Sequence, residues 1–103
     1  MKNYKTSVMY KGWQRGSGWS YSTDVDVDCH FFSSSKPLDE LCMEDISIHG
    51  AAYDLTELVE VREVSEEPYE SVQVVQYVVE VDEDGDEEGS RKELSAIWDY
   101  EEV

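Results

Sequence analysis

Residues 4–31 alternate between apolar and polar side chains on both sides of a segment that contains Gly16 and Gly18. This pattern predicts a β-hairpin, and it restricts the fold because a one-residue slip would exchange the apolar and polar faces. With the tip at Gly16 and Ser17, the core-facing cross-strand pairs are Tyr10–Thr23, Val8–Val25, Thr6–Val27 and Tyr4–Cys29. The opposite face pairs Met9 with Asp24, Ser7 with Asp26 and Lys5 with Asp28.

This register predicts a row of carboxylates, formed by Asp24, Asp26 and Asp28, on the solvent face of one strand. Side chains two residues apart on a strand are separated by about 6.6–6.8 Å. That distance is close to the step between successive phosphates on one DNA strand, whose winding stretches the axial rise of about 3.4 Å. The row is therefore either an ordinary solvated strand face or a surface for a cationic partner.

The middle of the chain predicts a short helix over residues 36–45. Pro37 suits the first helical position, and Asp39 and Glu40 suit the first turn. Leu38, Leu41 and Cys42 would share its apolar face. The following residues, 46–55, fit either a short strand interrupted at Gly50 or the approach to another helical turn.

The second half of the chain predicts strands rich in valine. Residues 57–64 and 71–82 are two such strands, joined around Pro68, with an irregularity at Val74 and Val75 where the alternation changes phase. Residues 83–90 predict a turn. Residues 93–102 fit a strand or a helix, and the alternation of Leu94, Ala96, Trp98 and Tyr100 favours the strand.

These segments together predict one α+β domain spanning residues 1–103. We expect a small, mostly antiparallel sheet, made of the N-terminal hairpin and a C-terminal meander, with one short helix. Three Trp, seven Tyr and two Phe are more aromatic residues than a disordered acidic tail normally contains, so a folded core is expected.

The net charge of −17 is the second unusual property of the chain, and it is unevenly distributed. Residues 1–36 hold five bases and three acids, whereas residues 37–103 hold three bases and 22 acids. Solubility does not require this asymmetry, because a net charge of roughly 2–8 serves a small domain. A surface this acidic should repel nucleic acids and anionic lipids, so direct binding to either is not expected.

No N-terminal apolar run resembles a signal peptide, no stretch is long enough to cross a membrane, and Cys29 and Cys42 are too few for a disulfide framework. A reducing, cytoplasmic location is the expectation. We interpret Cys29 as a small core residue.

Metal sites are weakly supported by the spacing of acids, cysteines and histidines. Residues 82–93 place Asp82, Asp84, Asp86 and Glu93 as in an EF-hand loop, but Glu87 stands where glycine is required. Residues 24–35 match less well, with Cys29 at the glycine position and Ser35 at that of the bidentate glutamate. Zinc would need Cys29, His30, Cys42 and His49, but Cys29 and His30 are neighbours on a strand and point to opposite faces. We expect neither a specific metal site nor a cofactor.

Catalytic motifs are also missing. With 25 Asp and Glu residues, carboxylate pairs carry little information about acid–base chemistry. The serines at 33–35 have no glycine elbow around them, and the glycines near residue 17 mark a hairpin tip, not a phosphate-binding loop. We expect a protein that is not an enzyme and has no catalytic residues.

In size, acidity and aromatic content the whole chain resembles the small acidic phage proteins that mimic DNA, such as restriction inhibitors and anti-CRISPR proteins. No shared motif carries the resemblance, so it implies a strategy only: occupying the cationic groove of a nucleic-acid-binding nuclease or CRISPR effector, in the cytoplasm of a host cell. We expect the partner-binding surface to comprise the strand row and the acids around the last turn: Asp24, Asp26, Asp28, Glu80, Asp82, Glu83, Asp84, Asp86, Glu87 and Glu88.

Three alternatives remain open from the sequence. The chain could be an acidic partner or chaperone of a basic protein, using the same electrostatics on another target. It could be an ordinary domain of a halophile, although solvent adaptation should spread the charge over the whole surface. It could be a calcium-binding module.

Overall fold

The computed structural model describes the backbone of residues 1–14, 18–59 and 71–100 and the side chains of residues 1–12, 22–58 and 73–97. Its main element is one antiparallel sheet with the strand order β2-β1-β4-β5, in which β3 also pairs with β1. The strands are β1 (Lys2–Gln14), β2 (Gly18–Asp24), β3 (His30–Ser34), β4 (Ser71–Val81) and β5 (Glu87–Tyr100). A 3₁₀ helix (Leu38–Glu40) and two short helices, α1 (Met43–Ile48) and α2 (Leu55–Val59), connect β3 to β4. The predicted α+β fold with a mostly antiparallel sheet is therefore confirmed.

The N-terminal hairpin has the predicted register only from Met9 to Gly12, and towards the tip the pairing shifts by one residue, so that Trp13 pairs with Trp19. Tyr10 pairs with Thr23 and Met9 with Asp24, as predicted, and the Val25 amide donates to the Val8 carbonyl (3.0 Å). Beyond this point the register changes by three residues, so that Thr6 pairs with His30 and Tyr4 with Phe32. The predicted pairs Thr6–Val27 and Tyr4–Cys29 are therefore wrong.

The register changes because the segment 25–29 leaves the sheet between β2 and β3. The Val27 amide donates to the Val25 carbonyl (2.8 Å), a tight turn that takes up the extra residues. Both valine side chains are half-buried and pack against the core, as predicted. Cys29 lies in this segment and is exposed, so its interpretation as a core residue is wrong. β2 and β3 thus lie one after the other along the same edge of β1.

One face of the sheet, the helix-covered face, packs against the segments that follow β3. Tyr4, Val8 and Tyr10 of β1 and Val74 and Val78 of β4 are buried on this face. The connecting segments contribute Leu41, Ile46, Ala51 and Leu55 to the same core. The opposite face, here called the Arg91 face, buries Met9, Val75, Tyr77, Val79 and Val81.

β4 is one of the two inner strands, buried on both faces and paired along both edges. Its ladder with β1 is regular from Glu80 to Ser71, so the irregularity predicted at Val74 and Val75 is wrong. The valines are consecutive because each face of β4 needs apolar side chains, as in any strand covered on both sides. The irregularities lie in the ladder with β5 instead, and Gly89 takes a positive φ of 81° at one of them.

Gln76 of β4 joins the sheet to the covering segments through a buried hydrogen-bond network. Its Nε2 donates to Thr6 Oγ1 (2.9 Å) and to the Ala51 carbonyl (2.9 Å), and its Oε1 accepts the Tyr53 amide (3.1 Å). Thr6 Oγ1 in turn donates to the Tyr77 carbonyl (2.7 Å). Every polar atom of the Gln76 side chain therefore has a partner, which makes its complete burial tolerable.

The helix predicted over residues 36–45 is divided into two elements. Leu41 has an extended backbone (φ −71°, ψ 139°) that ends the 3₁₀ helix and buries its side chain. Cys42 then caps α1, with its amide donating to the Asp45 carboxylate (3.0 Å). Helix α1 is followed by Gly50 at a positive φ of 70°, so the ambiguous segment 46–55 continues as helix and loop.

The remaining predictions for the second half have mixed outcomes. The strand predicted over 57–64 is wrong for residues 57–59, which lie in α2, and its other residues lie outside the described part. The predicted turn 83–90 is shorter, because β5 already begins at Glu87. The strand favoured for 93–102 is confirmed as far as Tyr100, and residues 101–102 lie outside the described part.

Replacing Gln76 by Leu should lower the free energy of unfolding by about 1–3 kcal/mol, because it leaves the Ala51 carbonyl and the Tyr53 amide buried without partners. Gln73→Leu on the same strand is the matched control. The Gln73 Oε1 is buried without a hydrogen-bond partner among the described residues, so losing it should be neutral or stabilising. Urea unfolding of both variants measures the difference, and equal effects would contradict the role assigned to the Gln76 network.

Candidate functional site

The cations whose side chains the structure describes have partners within the molecule. Every Lys and Arg whose side chain the structure describes contacts a carboxylate or a backbone carbonyl. The carboxylate pairs are Lys2–Glu80 (3.8 Å), Lys5–Glu87 (3.0 Å), Lys11–Glu93, Lys36–Asp45 (2.8 Å), and Arg91 with both Asp24 and Glu87. The Lys92 ammonium donates to the carbonyls of Asp39 (2.8 Å) and Leu41 (2.6 Å) at the end of the 3₁₀ helix.

Arg91 on β5 makes the most extensive of these contacts. Its guanidinium donates to Glu87 through Nε (2.7 Å) and Nη2 (2.9 Å), and to Asp24 through Nη1 (2.6 Å) and Nη2 (3.2 Å). Its central carbon lies 4.1 Å from the ring centroid of Tyr77. The arginine thus combines two paired carboxylates with cation–π stacking and links β2 to β5 across the Arg91 face.

The titration behaviour of these groups reflects the same contacts. The hydrogen bonds from Arg91, together with that from Lys5, lower the pKa of Glu87 to about 2. The hydrogen bonds that Arg91 donates to Glu87 and Asp24 raise the pKa of Arg91. Burial raises the pKa of Tyr77 to about 12, against the opposing effect of the Arg91 charge. The cluster therefore holds the Glu87 carboxylate ionised, with its charge compensated by Arg91 and Lys5.

Four of the ten predicted partner-binding residues are engaged within the fold. Asp24, Glu80 and Glu87 are ion-paired. Asp82 holds the β4–β5 turn, because its Oδ1 accepts the amides of Asp84 and Asp86 (both 2.9 Å). The structure brings Asp24 and Glu87 together at Arg91, a contact that the sequence did not reveal because residues 24 and 87 are distant along the chain.

The other six predicted residues are exposed carboxylates. Asp26 and Asp28 lie in the segment 25–29, outside any strand, so the regular strand row predicted for Asp24, Asp26 and Asp28 is wrong. The remaining four surround the β4–β5 turn and are called here the turn acids: Glu83, Asp84, Asp86 and Glu88. Within the described part of the chain, no cation forms an ion pair with any of these six.

Further carboxylates at the same end of the sheet were not predicted as site residues. Asp39 and Glu40 are exposed on the 3₁₀ helix. Burial raises the pKa of Tyr4, and the negative charges of Glu80 and Asp39 raise it further. From the sequence, Asp39 and Glu40 were interpreted only as residues of a helical first turn, so they were not predicted as binding residues.

Asp82, Asp84 and Asp86 are the only group of possible metal ligands within 4.8 Å of one another that the described residues contain. Turn geometry accounts for this proximity, since Asp82 accepts the amides of the other two. Cys29, His30, Cys42 and His49 do not form such a group in the described chain. The expectation that the protein has no specific metal site stays a prediction.

Comparisons with known proteins found no matching family model, no similar curated protein and no similar solved structure. None of the described helices is long and apolar enough to cross a membrane. The absence of catalytic residues and of a cofactor stays a prediction.

The Glu87 ion pairs should make part of the stability dependent on pH. Because folding lowers the pKa of Glu87 from 4.5 to about 2, its contribution is complete above pH 4.5 and disappears as the pH falls towards 2. Glu87→Gln should therefore lower the free energy of unfolding at pH 7, by about 1–2 kcal/mol for a partly solvated charged pair, and by progressively less below pH 4.5.

The neighbouring Glu88→Gln is the control, because it removes an exposed carboxylate without an ion pair. It should leave the stability at pH 7 unchanged or slightly raised. Thermal unfolding of both variants and the parent protein from pH 7 to pH 2 gives the comparison. A loss in Glu87→Gln that stays constant down to pH 2 would contradict the assigned ion pairs.

Proposed function

We propose that this protein inhibits a DNA- or RNA-binding effector, a CRISPR or restriction nuclease above all, by occupying its cationic nucleic-acid groove. The observation that carries the proposal is the set of exposed carboxylates left after every described cation has found a partner within the molecule. A surface with this excess of negative charge attracts a cationic groove over a long range and accelerates association.

The turn acids are the part of this surface that supports the proposal best. They carry no compensating cation in the described part of the chain, whereas the charges of Asp24 and Glu87 are compensated by Arg91 and Lys5. Asp39 and Glu40 add exposed negative charge near this end of the sheet, since the Asp39 carbonyl accepts a hydrogen bond from Lys92, which pairs with Val78 of β4. The partner's phosphate-binding side chains would therefore contact this end first.

Rigid placement of these carboxylates favours a groove-binding role. The β4–β5 turn is held by Asp82, by the bond from the Gly85 amide to the Asp82 carbonyl (3.1 Å), and by the positive φ of Gly85 (85°). A flexible acidic tail would lose part of its interaction energy to ordering on binding. Carboxylates on a fixed turn avoid most of that cost.

An acidic partner or chaperone of a basic protein would use the same surface. The two functions differ in what competes for the partner: a groove-binding inhibitor excludes nucleic acid, whereas a chaperone recognises a basic client that has no nucleic-acid site. Competition with a labelled duplex therefore separates them. The proposal also places this inhibition in the cytoplasm of a host cell.

The proposal is tested by neutralising the turn acids together (Glu83→Gln, Asp84→Asn, Asp86→Asn, Glu88→Gln) while Asp82 is kept to hold the turn. Purified CRISPR and restriction nucleases are each incubated with a fluorescent duplex, or guide and target, and displacement by the protein is followed by fluorescence anisotropy. The parent protein should displace the nucleic acid from at least one nuclease. The neutralised variant should need roughly ten times more protein, through slower association.

Two further variants have equal net charge: one neutralises two turn acids (Glu83→Gln, Asp84→Asn), and the other neutralises two exposed acids outside the predicted binding surface (Glu44→Gln, Glu57→Gln). The second variant should displace nearly as well as the parent protein. Equal losses in the two variants would assign binding to total charge instead of the turn surface. Displacement from none of the nucleases would reject the proposed function.

A further inference from the structure

Phe31 is an exposed aromatic side chain beside the turn acids. It lies on β3 opposite Lys5 of β1, and 55% of its surface is accessible to solvent. Its ring stands over the β4–β5 turn, where a Cβ built on Gly85 would lie 3.4 Å from the ring. A Cβ at this position would make ordinary van der Waals contact with the ring, so the ring packs directly beside the turn.

A groove of about 250 Å³ lies between this ring and the turn. Phe31, Phe32 and Val81 provide apolar lining, and Asp82 and Glu83 provide carboxylates. Oδ1 of Asp82 is engaged by the turn amides, and Glu83 is exposed without an ion pair in the described chain. The groove thus combines an aromatic ring with an adjacent uncompensated negative charge.

The Arg91 face of this protein shows that an aromatic ring beside carboxylates can bind a guanidinium group. On the Arg91 face, a guanidinium stacks on the Tyr77 ring while two carboxylates accept its hydrogen bonds. At Phe31 an aromatic ring and two carboxylates are again adjacent, and no arginine of the described chain contacts them. Arginine suits this chemistry better than lysine because its planar guanidinium stacks and donates at once.

We propose that the groove between Phe31 and the β4–β5 turn accepts an arginine side chain of the partner protein. The guanidinium stacks on the Phe31 ring and donates to Glu83, while its methylene groups contact Val81. This inference rests on the proposed function, since nucleic-acid grooves are rich in arginine, and it identifies one anchoring contact within that surface.

Two lysines lie near the groove, and neither opposes this binding with a free charge. Lys5, opposite Phe31 on β1, is paired with Glu87, and Lys2 at the end of the same strand is 3.8 Å from Glu80. The turn acids on the other side leave the local charge negative. Charge complementarity therefore favours a cationic occupant over a neutral apolar one.

The test uses the peptide acetyl-Gly-Arg-Gly-amide, titrated into the isotope-labelled full chain while the aromatic resonances of Phe31 and the amides of residues 82–86 are followed by NMR. Saturable shifts are expected at these positions. Phe31→Leu should weaken binding about two- to fivefold through the loss of stacking, and Phe31→Tyr, which keeps the ring, should restore it. Glu83→Gln should also weaken binding.

The control variants are Ile48→Ala and Glu57→Gln, which remove an exposed apolar side chain and an exposed acid away from the groove. Both should bind the arginine peptide as the parent protein does. Equal binding of acetyl-Gly-Leu-Gly-amide, unchanged affinity in Phe31→Leu, or shifts that appear on concentrating the protein alone would each overturn the inference. The last result would assign the groove to a second copy of this chain.

The inference and the proposed function can fail separately. Peptide binding that depends on Phe31, without displacement of nucleic acid from any nuclease, would retain the arginine site and reject nuclease inhibition. Displacement of nucleic acid that is unchanged in both Phe31→Leu and Glu83→Gln would retain the function and reject this contact.

Discussion

The double-sided burial of β4 is the constraint on which the rest of the structure depends. This strand pairs with β1 on one edge and β5 on the other, and its side chains are buried on both faces. The covering segments are positioned through Gln76, whose amide reaches Ala51 and Tyr53. With the strand fixed in this way, the β4–β5 turn, and with it the turn acids, has a defined place at one end of the sheet.

The charge distribution follows from how few cations the chain has. With 8 Lys and Arg against 25 Asp and Glu, most carboxylates have no cation available. The fold determines which carboxylates form ion pairs. Arg91 pairs with Asp24 and Glu87 and stacks on Tyr77, and Lys36 pairs with Asp45 near the start of α1. The carboxylates therefore form two groups. Those in intramolecular ion pairs connect strands or helices, and the exposed ones remain available to a partner protein.

The sequence predicted the antiparallel sheet because alternation and valine content are local signals. The sequence-based predictions were wrong where tertiary contacts determine the structure. Residues 25–29 leave the sheet, and Val25 and Val27 pack against the core. The consecutive valines in β4 reflect burial on two faces instead of a bulge. For the same reason the sequence identified the acids of the candidate site but not the cations with which some of them form ion pairs. The Asp24–Arg91–Glu87 contact joins distant segments, and no local pattern reports it.

The central claim is that unpaired carboxylates dominate the electrostatics of the folded protein. The most direct measurement is the thermal unfolding midpoint as a function of NaCl, from about 0.01 M, where charges interact over roughly 30 Å, to about 0.5 M, where they are largely screened. The account predicts a midpoint that rises with salt because repulsion is screened, and a smaller rise in the variant that lacks the four turn acids. A midpoint that falls with salt would show that attractive pairs dominate, and would contradict the account.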